Sequence, residues 1–225
     1  MSNRKSRPPT LRHSKSQLPQ LAAKLLADGT ARDFGTAKRK AAALLGISEQ
    51  RDLPDNQTLL VALLDYQRLF DSPAVTTRNS RLRAAALEAM TFFAAFSPGL
   101  VGAVMRGSTL PHTAVSLHLF ADEVEAVSRF LLDKHVAYQI SDVRLRVNRR
   151  EQERYPVFEI WLRDIQFQLV VMPTRCLANP PLSPLDGAPY RRLGAAQLAK
   201  LVASANPGAP WDETGVFIDS IAPRT

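Results

Sequence analysis

Hydrophobic positions recur along this chain in two rhythms, and the change from one to the other divides it. Through residue 70 the rhythm is helical. Residues 18–27 read as a short helix, with Gly29 suited to close it. Asp33 is placed to cap a second helix that runs to Gly46, with Phe34, Ala37, Ala41, Leu44 and Leu45 on one stripe. Asp55 is placed to cap a third over 56–70, whose Leu59, Leu60, Leu63, Leu64 and Leu69 are apolar. Residues 72–80, with Pro73, read as a linker. A helix over 81–96 is apolar on nearly every face after Ala84, which predicts burial.

From residue 100 the rhythm changes to a period of two. Leu100 and Val101 give a short strand, Gly102 and Gly107 punctuate a turn, and Val115, Leu117 and Leu119 alternate with Ala114, Ser116 and His118. Asp122 and Glu125 resemble a capping box for a helix reaching Lys134. Strands follow at 136–140 and 143–147, then a polar turn over 148–154. Paired strands at 155–162 and 165–172 are joined at Arg163-Asp164. Beyond Cys176 the chain is proline-rich, with a last helix at 194–205 and a tail containing Trp211. The pattern predicts an α+β fold: a mixed sheet covered on one side by helices, preceded by a helical unit.

Charge adds one feature. The net charge of the 225 residues is +8, and residues 1–40 hold ten Lys and Arg against Asp28 and Asp33, so the remaining chain is balanced. Arg4, Lys5, Arg7, Arg12 and Lys15, among prolines and serines, predict a disordered basic arm over 1–16. Lys38, Arg39 and Lys40 continue the basic character on the second helix. This asymmetry points to a polyanion, and Arg4, Lys5, Arg7, Lys38, Arg39 and Lys40 are the candidate nucleic-acid contacts. A helix, a loop at 29–32 and a basic helix also fit the spacing of a helix-turn-helix. The single cysteine excludes a disulfide framework and a cysteine-rich metal site. The longest uncharged run, 89–105, is broken by Pro98 and Gly99 and is too short to span a bilayer. With no secretory signal read at the N-terminus, a cytoplasmic protein without a membrane partner is the expectation.

The stretch 100–120 resembles the signature of the nucleotidyltransferase superfamily, the DNA polymerase beta-like fold in its minimal form. Gly102 and Ala103 fall on the family's Gly-Ser pair, and Gly107 and Thr109 on its second glycine and small residue. Thr113, Ala114, Val115, Ser116 and Leu117 fall on its Ser-Asp-hydrophobic-Asp-hydrophobic strand. Both carboxylate positions are therefore neutral, Ala114 and Ser116. The third acid of the family lies on a late strand, where the candidates here are Gln166 and Gln168. The run Ala-Lys-Arg-Lys-Ala-Ala at 37–42 resembles the N-terminal region of bacterial proteins that carry this domain, which brings no activity with it.

The resemblance implies a nucleotide pocket formed by Gly102, Ala103, Gly107, Ser108, Ser116 and His118. Its empty acidic positions imply that metal-dependent transfer is lost, because divalent metal needs carboxylate oxygens to line up a triphosphate. The expectation is a catalytically degenerate nucleotidyltransferase-like protein that binds nucleotide or nucleic acid, with no cofactor. The expected divisions are the arm at 1–16, a helical unit at 17–72, the nucleotidyltransferase-like domain at 79–176 and a C-terminal segment at 177–225. The alternatives are an active transferase with a relocated Mg2+ site and a protein-interaction scaffold. Glu159 and Asp164 are the carboxylates available to such a site, and their positions mid-strand and at a turn tip argue against convergence. A Ser116–His118 nucleophile pair lacks an acid to orient the histidine, which leaves His118 as a polar edge residue.

Overall fold

The computed structural model describes residues 9–47, 52–70, 72–148 and 150–205. These form two compact units. The first holds the described residues up to Val75 together with Leu110–His112, and the second holds Thr76–Thr109 and the described residues from Thr113 to Ala205.

The first unit is helical. Helix α1 (Pro9–Ala27) packs against α2 (Phe34–Leu44) and α3 (Asn56–Phe70). Both expected caps are present: the Asp33 carboxylate accepts from the Thr36 N–H at 2.8 Å, and that of Asp55 from the Thr58 N–H at 2.6 Å. These bonds, largest among the causes, hold both carboxyls below the usual aspartate range. Leu18, Ala22, Ala23, Leu26, Ala37, Ala41, Leu59 and Leu63 form the core. The small alanines let α1 and α2 approach closely. Leu44, expected on the apolar stripe, is exposed instead. Helix α1 begins at Pro9 and carries Pro19 within it, so residues 9–16 of the expected arm are helical. An open groove of ≈ 590 Å³ runs between α1 and α3, lined by Leu21, Ala62, Tyr66, Leu69 and Phe70 among others.

The expected linker is absent. Helix α4 (Ser72–Phe92) runs through it, because Pro73 sits in the first turn, where its missing N–H has no helical partner to lose. The division between the units falls inside this helix. The second unit is a five-stranded mixed sheet in the order β1-β2-β5-β4-β3. Its strands are β1 (Gly99–Val101), β2 (Val115–Phe120), β3 (Tyr138–Arg146), β4 (Gln152–Leu162) and β5 (Ile165–Met172). Only the β2–β5 pairing is parallel. Short helix α5 (Gly102–Arg106) follows β1, where a turn was expected, and α6 (Val124–Asp133) follows β2. The two expected runs at 136–140 and 143–147 are one continuous strand, β3.

One face of the sheet is the main core. Leu117, Leu119, Phe158, Ile160, Phe167, Leu169 and Val171 pack on Met90 and Phe93 of α4, Val127 and Leu131 of α6, and Leu198 and Val202 of α7 (Ala195–Ala205). Each such fully buried side chain contributes about 1.5–3 kcal/mol. The C-terminal segment is therefore built into the second unit: Leu193 also bridges Leu100 of β1. Asp122 does not cap α6. Its carboxylate accepts from the Thr174 N–H at 2.9 Å and the Thr174 hydroxyl at 2.8 Å, tying the end of β2 to the chain after β5.

Candidate functional site

The second face of the sheet carries the residues that the resemblance singles out. Alternation along β2 turns Ser116, His118 and Phe120 away from the main core. Along β5 it does the same for Gln166, Gln168, Val170 and Met172, and along β4 for Tyr155, Val157, Glu159 and Trp161. Register sets them in rows. Ser116 lies opposite Gln168, Gln168 opposite Glu159, and Glu159 opposite Gln139. In the neighbouring row Gln166 lies opposite Trp161. Two of the expected degenerate positions, Ser116 and Gln168, are thus direct neighbours, with Gln166 one row away. Ala114 precedes Val115, which pairs with Phe167.

Gly102 closes on this row. Val101 pairs with Ser116, and the chain then enters α5 at Gly102 with φ of 78°. A Cβ there would lie 3.6 Å from the Ser116 hydroxyl, in ordinary contact, so backbone conformation is what requires glycine. Among the described residues neither Ser116 nor Gln168 makes a side-chain hydrogen bond. The Glu159 carboxylate accepts from Gln166 Nε2 and from the Ser141 hydroxyl, each at 3.3 Å. The row thus offers a free hydroxyl, a free amide and a tethered carboxylate.

The six expected pocket residues do not stay together. Gly107 and Ser108 lie at the far end of α5 and are held against α4. The Gly107 carbonyl accepts from Asn79 Nδ2 at 2.8 Å, and Ser108 is buried. Asn79 in turn accepts from the Thr109 hydroxyl at 2.7 Å, and Arg78 donates to the Thr109 carbonyl at 3.1 Å. The Ala103 carbonyl is used within this turn, by the Ser108 N–H at 3.1 Å. His118 is buried, not a polar edge residue. Its Nδ1 accepts from Arg192 Nε at 3.2 Å, which leaves its proton on Nε2, and the Tyr190 ring stands edge-on at 4.7 Å. Burial, then the Arg192 charge, push its pKa down to about 3, so it is neutral. Arg192 also donates to the Cys176 carbonyl at 2.8 Å and lies over the Phe120 ring at 4.7 Å. Only Gly102 and Ser116 of the six share the open row.

Two residues, Trp161 and Arg106, were not singled out, and Glu159 was weighed only as a partner of Asp164. Trp161 is 63% exposed, and Glu159 shares its face. Strand alternation places both with the amides, and the β4–β5 pairing supplies the register. Arg106, at the end of α5, is half-buried, and its Nε is buried without a hydrogen-bond partner. Tyr190 and Asp186 are its electrostatic neighbours.

The divalent metal that the alternative reading, an active transferase with a relocated Mg2+ site, requires does not fit this donor set. The row Ser116, Gln168, Glu159 supplies one carboxylate, and hard cations take several charged oxygens. Among the described residues no group of three His, Cys, Asp or Glu is close enough to hold a metal ion. Asp164 is engaged elsewhere: it accepts from Arg81, the largest cause of its lowered pKa. Glu159 and Asp164 do not converge, as the strand positions indicated.

The basic residues are partly spoken for. Arg4, Lys5 and Arg7 lie outside the described residues. Lys40 donates to the Thr30 carbonyl at 2.7 Å and Arg39 to the Thr36 hydroxyl at 3.2 Å. Lys38 is partly buried, which lowers its pKa, while Asp55 pulls it back up. No helix among the described residues is long and apolar enough to cross a membrane. The chain matches no family model, no curated protein and no solved structure.

Proposed function

We propose that the protein binds a nucleotide on the open sheet face beside Gly102 and transfers nothing. The observation that carries this reading is the row Ser116, Gln168, Glu159, with Gly102 pressed against Ser116. Neutral groups stand at the positions where the resembled family places metal-binding acids. They keep hydrogen-bonding capacity and lose the charge that holds a metal. Gly102 permits close approach of a phosphate to the backbone.

Titration calorimetry of the full chain with ATP, GTP, CTP and UTP, with and without magnesium, tests the reading. Binding that is unchanged by magnesium is expected. Affinity that depends on magnesium, with turnover that Glu159→Ala abolishes, replaces this reading with an active transferase. The concentration of positive charge in residues 1–40 supports a second contact, to the backbone of a nucleic acid. It predicts affinity for single-stranded RNA or DNA that falls steeply with salt. Binding indifferent to salt removes that contact.

A further inference from the structure

Five side chains form a compact patch on the open face: Ser116, Gln168 and Glu159 in one row, Gln166 and Trp161 in the next. Strand spacing and rise make this patch about 10 Å by 7 Å. No cation is among the five, and Glu159 is anionic, so the patch disfavours phosphate. What it offers is a flat aromatic surface left 63% in water, two amides that each donate and accept, and a carboxylate that accepts. The Gln168 amide has no partner among the described residues. A ligand that matches these groups is planar, neutral and edged with both donors and acceptors.

We infer that this patch holds the heterocyclic base of the nucleotide, stacked on the Trp161 indole and read at its edge by Gln166, Gln168 and Glu159. The inference rests on the reading of the site given above and divides it into two parts. The base lies over β4 and β5, and the phosphates lie toward Gly102 and β1. Stacking supplies affinity that tolerates any base. The amides and the carboxylate supply preference among bases.

The test measures binding of the four nucleoside triphosphates and of inorganic tripolyphosphate to the full chain and to Trp161→Ala and Trp161→Phe. Loss of stacking makes Trp161→Ala bind its preferred triphosphate about tenfold to a hundredfold more weakly. Its affinity for tripolyphosphate is unchanged, and Trp161→Phe recovers most of the loss. Gln168→Leu narrows the differences among the four triphosphates. A Trp161→Ala variant that binds triphosphate as well as the parent overturns the base patch and leaves the nucleotide reading standing. Equal loss of tripolyphosphate binding overturns it too, because the defect is then not in the base. Failure of the parent to bind any triphosphate overturns the nucleotide reading and the base patch together.

Discussion

Ser116 and His118 stand two residues apart on β2, on the same face of the sheet, and meet opposite fates. His118 is sealed under Arg192 and Tyr190, its acceptor nitrogen bonded and its ring buried. Ser116 is only partly buried, with a hydroxyl that takes no partner among the described residues. The same contrast extends across the strands. At one end of the face Phe120, Met172, Tyr155 and Cys176 form a second small core. There Tyr155 donates to Glu153 at 2.9 Å, and Arg175 donates to the same carboxylate at 2.8 Å. At the other end Trp161 is exposed, and Gln168, Gln166 and Glu159 are only partly buried. Polar groups in the sealed half hold the chain together, and those in the open half are available to a ligand. Substitutions that test stability and binding separately are therefore expected to sort by which half they fall in.

The largest effect is expected from Arg192→Leu. It removes the donor to His118 Nδ1 and to the Cys176 carbonyl and leaves both acceptors covered. Each unsatisfied buried group costs about 1–3 kcal/mol, so urea unfolding of this variant is expected to show a loss of about 2–6 kcal/mol. An unchanged midpoint denies that Arg192 seals the face. His118 comes next, through pH. Its pKa is depressed to about 3 in the folded protein, against 6.5 when unfolded, so the unfolded chain binds the extra proton between those values. The stability that goes with a neutral His118 is whole above pH 6.5 and is lost as pH falls toward 3, at about 1.4 kcal/mol per pH unit. Between pH 7 and pH 4.5 the parent is expected to lose about 2–3 kcal/mol more than His118→Gln does. The lowered carboxyls at Asp33, Asp55, Asp122 and Asp164 are common to both proteins and cancel in that difference. Parallel pH profiles refute a buried neutral histidine.

What the sequence made legible was local. Asp33 and Asp55 cap their helices three residues ahead, and β4 and β5 meet across Arg163-Asp164, so short-range pattern sufficed. The features it hid depend on distant partners. His118 reads as an edge residue because the arginine that covers it lies 74 positions on. Asp122 reads as a helix cap because Thr174, which takes its carboxylate, is 52 positions away. Pro73 reads as a break, although in a first turn it is compatible with helix. Glu159 was weighed only against Asp164, and its true neighbour Gln168 emerges from strand register. Ser116 was read as a neutral position and Gln166 and Gln168 as alternatives for another; that Gln168 is the one beside Ser116 needed the parallel β2–β5 pairing.

A smaller effect is expected at Gly102, which lies between the two kinds of behaviour. Its φ of 78° is costly for any residue with a side chain, while the nearest atom to an added Cβ is 3.6 Å away. Gly102→Ala therefore pays for conformation alone, about 1 kcal/mol by urea unfolding. Since the methyl group faces the Ser116 hydroxyl, the same variant is expected to weaken triphosphate binding more than it weakens the fold. Equal loss of both makes Gly102 a turn residue and nothing more.

The smallest stability change, and the sharpest test of the comparison, belongs to the open row itself. Among the described residues neither Ser116 nor Gln168 makes a side-chain hydrogen bond that folding depends on. Ser116→Ala and Gln168→Leu are each expected to alter unfolding free energy by less than about 0.5 kcal/mol. On the proposed reading each removes one neutral hydrogen bond to the nucleotide, so triphosphate affinity is expected to fall about threefold to tenfold. The double variant Ser116→Asp with Gln168→Asp reverses the chemistry by placing two carboxylates side by side, next to Glu159. Three charged oxygen donors then share one row, and the variant is expected to bind magnesium on its own where the parent does not. If the double variant does not bind magnesium, the three side chains of the row do not converge as their register implies. If Ser116→Ala destabilises the fold as strongly as Arg192→Leu does, the open half is structural and the division of the face into two halves fails.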